Sequence, residues 1–139
     1  MTASLPPDAA PGSVFFGMMG TPFRSETVTS LFRMVDAALR QGRHVTVWNC
    51  GHATGLSQIS LCRPPDLFAP DAPAGTTTAT LVQALKRRYG DQLEWLVCRY
   101  CMEERGNTQQ IPEAMVKIPF SFQHYLSAAD SAMVLGVKS

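Results

Sequence analysis

Residues 96–106, LVCRYCMEERG, place two cysteines three apart, directly after an apolar run. A thiol in that position has three chemistries open to it: metal ligation, dithiol redox exchange, and nucleophilic attack by one thiolate. A structural zinc site wants four ligands, usually from two such pairs. No second C-x-x-C exists, and Cys50, Cys62, His52 and His124 stand at no recognisable metal spacing. No metal is therefore expected, and neither of the two thiol chemistries needs a cofactor. The dithiol reading takes Cys98 as the attacking thiol and Cys101 as its partner, at the start of a helix whose free N–H groups favour the thiolate. Arg99 and Arg105 add positive charge, which Glu103 and Glu104 partly offset. A thioredoxin-like domain, however, carries this motif after its first strand, and here it follows the third. The single-nucleophile reading needs Cys98 alone, exposed to a partner and held in a thiolate-favouring position. Against all three stands plain packing of a small apolar side chain.

Other residues join this candidate site. Cys50 ends a predicted strand and is a candidate second thiol beside Cys101, or a packed core residue. His52 is a candidate proton donor, with a surface histidine as the alternative. Cys62 borders a loop and is read as incidental. Asn107-Thr108-Gln109-Gln110 forms a polar loop that could line the site mouth. Met18-Met19 reads as core or site wall, and His124 and Tyr125 as packing in the last helix.

The elements that must position these groups alternate. Ser13–Met19 and Val45–Trp48 are short apolar runs that suit strands buried on both faces. Leu93–Val97 is the third such run. Shorter runs near 115–118 and 132–135 supply a fourth and a fifth. Between the first two strands, Val28, Leu31, Phe32, Val35 and Leu39 recur at helical spacing, and Gly42 stands at the stop position. Thr21 with Pro22, or Ser25, would cap that helix. Residues 52–60 read as a short helix or irregular chain. Residues 63–76 are a proline-rich loop, either a binding element or a surface insertion. A second helix opens at Thr77 or Thr78 and runs through Leu81, Leu85 and Tyr89 to Gly90. Residues 99–104 and 121–129 complete the helices. Alternating strands and helices argue for a parallel α/β sheet covered on both faces, with reactive groups at the carboxyl ends of its strands. Cys50 and Cys98 both fall at such ends.

The whole chain bounds the function further. At 139 residues it is expected to be a single domain, 14–139, behind a flexible Pro/Ala-rich extension, 1–13. A composition 45% apolar and 17% charged supports a core, and a net charge of +1 without a broad basic cluster gives no footprint for direct nucleic-acid binding. No apolar stretch is long enough to span a bilayer, and the N-terminus lacks the features of a signal peptide. A cytoplasmic protein with reduced thiols is the expectation.

Taken in order, these features resemble the DsrE/DsrF-like family of sulfur-relay proteins. The opening strand leads into a G-x-x-G-like turn, Gly17-Met18-Met19-Gly20, and the following helix ends near Gly42. The second strand closes with Trp48 and Gly51. Cys98 ends the third strand, followed by a helix closing in Arg105-Gly106, and residues 121–136 supply a similar final helix and strand. The resemblance covers residues 14–136. It implies a three-layer α/β/α sandwich with a mainly parallel five-stranded sheet, and a persulfide carried on Cys98. It also implies sulfur donor and acceptor proteins as partners, and assembly as a homo-oligomer (dimer, trimer or hexamer). Cys101 and the long proline-rich stretch depart from the family pattern. A dithiol protein using Cys98 and Cys101, and a non-catalytic oligomeric module binding a small ligand, are the rival expectations.

Overall fold

The computed structural model describes residues 12–23, 26–62, 68 and 76–137. Five strands form one sheet: β1 (Val14–Gly20), β2 (Val45–Asn49), β3 (Leu93–Cys98), β4 (Ala114–Lys117) and β5 (Ser131–Val137). Their order is β4-β3-β2-β1-β5, and every neighbouring pair is parallel. Four helices connect them: α1 (Thr27–Arg40), α2 (Thr78–Tyr89), α3 (Arg99–Glu104) and α4 (Ser121–Ala128). Two 3-10 segments, Gly51–Ser57 and Ile59–Cys62, follow β2.

The strand order explains the layering. From β1 to β4 the chain adds strands in one direction. It then returns to place β5 on the far side of β1. Parallel crossovers are right-handed, so reversing the direction of travel moves the connecting helix to the opposite face. One face carries α1 and α2, whose Leu31, Val35, Leu39, Ala79 and Val82 pack on Phe16, Val47 and Trp95. The other carries α4, whose Phe122, Tyr125 and Leu126 pack on Phe15, Trp48, Leu96 and Cys98. The three-layer α/β/α arrangement expected from the sequence is present.

Local signals worked where they were chemically specific. Thr77 caps α2 by accepting from the Thr80 backbone N–H, while the Thr80 hydroxyl accepts from the Thr77 N–H. Gly42, beyond the end of α1, has φ +79. Other expectations need correction. Thr21 and Pro22 do not start a helix; α1 begins six residues after Thr21, with no side-chain cap. Ser25, the rival cap, lies outside the described residues. Gly17–Gly20 is the end of β1 and not a turn. On α2 the buried positions are Ala79 and Val82, whereas Leu81 is exposed. Most of the proline-rich stretch and residues 1–11 also lie outside the described residues.

Candidate functional site: a three-thiol cluster

Side chains alternate along a strand, so every second residue faces the same layer. Trp48 and Cys50 therefore share a face, as do Leu96 and Cys98. The β2–β3 register pairs Asn49 with Val97, which brings Cys50, the next residue, alongside Cys98. Asn49 Nδ2 donates to the Leu96 carbonyl at 3.0 Å and fastens the two strand ends together. Cys101 comes from the first turn of α3. The sulfurs of Cys50, Cys98 and Cys101 all lie within 4.8 Å of one another.

The surroundings are apolar on one side and hydrogen-bonding on the other. Phe122, Tyr125, Leu126 and Met19 pack, as Cys50 and Cys101 do, against the apolar cluster of Phe15, Trp48, Leu96 and Cys98. The Phe122 ring meets Trp48 edge-on at 5.6 Å between centroids. The Trp48 indole N–H donates to Cys50 Sγ at 2.8 Å. Cys98 stands at the N-cap of α3, next to the free backbone N–H groups of its first turn. Behind Cys50, the Gly51–Ser57 segment is clamped from across the molecule. Asn107 Nδ2 donates to Thr54 Oγ1 at 3.0 Å, Gln110 Nε2 to the Thr54 carbonyl at 2.8 Å, and Ser57 Oγ to Gln110 Oε1 at 2.6 Å. The polar loop expected at a site mouth is thus, at Asn107 and Gln110, the brace that holds the segment after Cys50.

Cys98 departs from the exposed, thiolate-favouring position expected of it. It is 1% exposed, whereas Cys50 and Cys101 are half-buried. Burial pushes the Cys98 thiol up. The backbone N–H groups at the start of α3 pull it down, and the neighbouring Cys101 pushes it up again. The six-residue α3 does not supply enough to offset desolvation beneath α4. Cys50 is raised further, to about 12, first by burial and then by the two neighbouring thiols, against the lowering effect of the Trp48 N–H.

The remaining candidates divide. Arg99 pairs with Glu103 at 3.0 Å on the exposed side of α3. Arg105 reaches the Cys101 carbonyl at 3.5 Å and Glu104 at 3.4 Å, so its contact with the site is to backbone. Gly106, φ +71, ends α3. His52 is exposed and lines a separate cleft of about 470 Å³ with Thr21, Gln58 and Asn107. Cys62 stands apart, its Sγ 3.6 Å from Gln83 Oε1. The sequence signals did not reveal Trp48 as a hydrogen-bond donor to the site or α4 as its cover. The alternation of Trp48 with Cys50 was the one visible clue to the first.

Fold and site together define a three-layer α/β/α domain with a thiol cluster at the carboxyl ends of β2 and β3. The crystal structure of the YchN protein from E. coli is similar to it, with a TM-score of 0.70 at 14% sequence identity. The match covers 90% of this chain and 100% of that one, and at this identity it concerns the fold. No protein-family model matches the chain, and no curated protein does.

Proposed function

We propose that the protein is a cytoplasmic sulfane-sulfur carrier that accepts sulfur from a donor protein, holds it as a persulfide on Cys98 and passes it to an acceptor protein. What supports this reading is the three-thiol cluster itself, in a chain whose sequence resembles the sulfur-relay family and whose fold is like that of YchN. A buried Cys98 suits storage better than first contact. Sulfur is received on half-exposed Cys101 or Cys50 and handed inward. The Cys98 thiolate attacks the outer sulfur of the neighbouring persulfide, the old S–S bond breaks, and the departing thiolate takes up the proton that Cys98 released. The step is an exchange without net oxidation, so it requires no cofactor.

Incubation with polysulfide, followed by a brief wash with a small thiol to strip exposed persulfides, should leave added sulfur detectable by intact-protein mass spectrometry. Cys98→Ser should retain none. Equal retention in that variant and the wild type overturns the carrier role.

A dithiol mechanism is the second reading, favoured by the Cys98 and Cys101 sulfurs lying within 4.8 Å of each other. It requires both thiols and a disulfide that a dithiol reductant reverses. Full loading and transfer in Cys101→Ser would remove it.

A further inference from the structure

The three sulfurs form a constellation that the spacing of the cysteines did not disclose. Cys50 comes from one strand end, Cys98 from the next, and Cys101 from the turn after it. We infer that Cys50, Cys98 and Cys101 form a trigonal thiolate site for one Cu(I) ion. This revises the expectation of no metal, and it does not rest on the sulfur-carrier reading.

Geometry comes first. An ion held in the plane of three sulfurs at about 2.3 Å needs them about 4.0 Å apart. The cluster already lies within 4.8 Å, so closing onto an ion asks for small side-chain rotations and no strand movement. The segments that carry the thiols are fastened by the Asn49–Leu96 bond and the Thr54–Asn107–Gln110 clamp, so the site is largely organised before binding.

Ligand chemistry selects the ion. All three donors are soft thiols, and among the described residues no histidine, aspartate, glutamate or fourth cysteine joins the group. Zinc in a structural site takes four protein ligands, and calcium and magnesium take oxygen. Cu(I) favours thiolates and is satisfied by three of them. The surrounding side chains are apolar, Trp48, Phe122, Tyr125 and the Met19 thioether among them, and they bury Cys98 while Cys50 and Cys101 stay half-buried.

A metal–thiolate site also needs hydrogen-bond donors to the sulfurs, because several thiolates around one monovalent ion leave excess negative charge. One is present, the Trp48 N–H on Cys50, and Cys98 stands at the N-cap of α3, where the first helical N–H groups have no partner within the helix. Lys117 lies beside Cys98 in the β3–β4 register and adds a positive charge at that strand end. Binding replaces thiol protons with the ion, so Cu(I) uptake releases protons to solvent.

The test is an anaerobic titration of the reduced full chain with Cu(I) against a colorimetric copper chelator, with X-ray absorption on the loaded protein. The expected result is one copper per chain with three sulfur neighbours. Cys50→Ser, Cys98→Ser and Cys101→Ser should each weaken binding by about tenfold or more, and Cys62→Ser should leave it unchanged. If Cys98→Ser fails to fold, the Cys50→Ser and Cys101→Ser titrations decide alone. Copper that binds wild type and those variants equally overturns the site, as does copper lost in Cys62→Ser. Zn(II) binding that Cu(I) cannot displace also overturns it. Sulfur loading is scored separately. Copper binding without stable loading refutes the carrier reading alone, and loading without copper binding refutes this inference alone.

Discussion

At Cys98 and Cys50, burial and hydrogen bonding oppose each other. Burial dominates at both, and the reactive form of a thiol is the thiolate. Both should therefore alkylate slowly at neutral pH, and the rate at Cys50 should still climb with pH well above the ordinary thiol value of 9.0. Iodoacetamide labelling across pH, read by peptide mass spectrometry, checks this. A Cys50 rate that levels off near 9.0 would contradict it. The sign of the linked effect on stability follows. A thiol raised in the folded state stays neutral where the unfolded thiol has already ionised. The stability Cys50 contributes is complete below 9.0 and falls as pH rises from there towards about 12.

At the scale of elements, the cover over the thiols is one eight-residue helix, α4. Its hold on the sheet comes through Phe122, which meets Phe15 at 5.5 Å and Trp48 at 5.6 Å, and through Tyr125, 6.3 Å from Trp48. Phe122→Ala should cost about 2 kcal/mol, less than a fully buried phenylalanine because the ring is only partly enclosed. It should also speed alkylation of Cys98 relative to Cys62. Denaturant unfolding and labelling of the same variant separate the two effects. Destabilisation with unchanged Cys98 labelling would mean that α4 does not control access.

For the whole molecule, the sheet edges are the open question. Phe120, Phe122, Tyr125 and Leu126 put four large apolar side chains in or beside α4. Phe122, Tyr125 and Leu126 are in fact packed on their own sheet, and Phe120 alone among the four is 87% exposed. Apolar exposure lies instead along β4 and just beyond it, at Met115, Val116 and Ile118, and on the opposite edge strand β5, at Met133 and Val134. Parallel edge strands with exposed apolar side chains favour pairing or coverage. We propose that a second copy of the chain covers at least one of these edges. Light scattering at micromolar concentration should give a multiple of 15.2 kDa, and Val116→Lys or Val134→Lys should lower it. A monomer for the wild type would refute self-association. No described helix is long and apolar enough to cross a membrane.

The alternation of buried strands and amphipathic helices was legible from the chain itself, because burial imposes periods of about two and 3.6 on apolar residues. So were the Thr77 cap and the stops at Gly42 and Gly90, because each depends on a few adjacent residues. Cys98 could be placed at a strand end on the same local grounds. Its burial could not, because that depends on α4, a helix more than twenty residues away whose crossover hand puts it over that face. Nor could the meeting of Cys50 with Cys98 and Cys101. That meeting needs β2 and β3 to be neighbours in one register, with Trp48 and Cys50 turned to the same side. Local composition determines which segments become strands and helices. Strand order and register determine which thiols can meet, and those are decided only when the whole sheet is assembled.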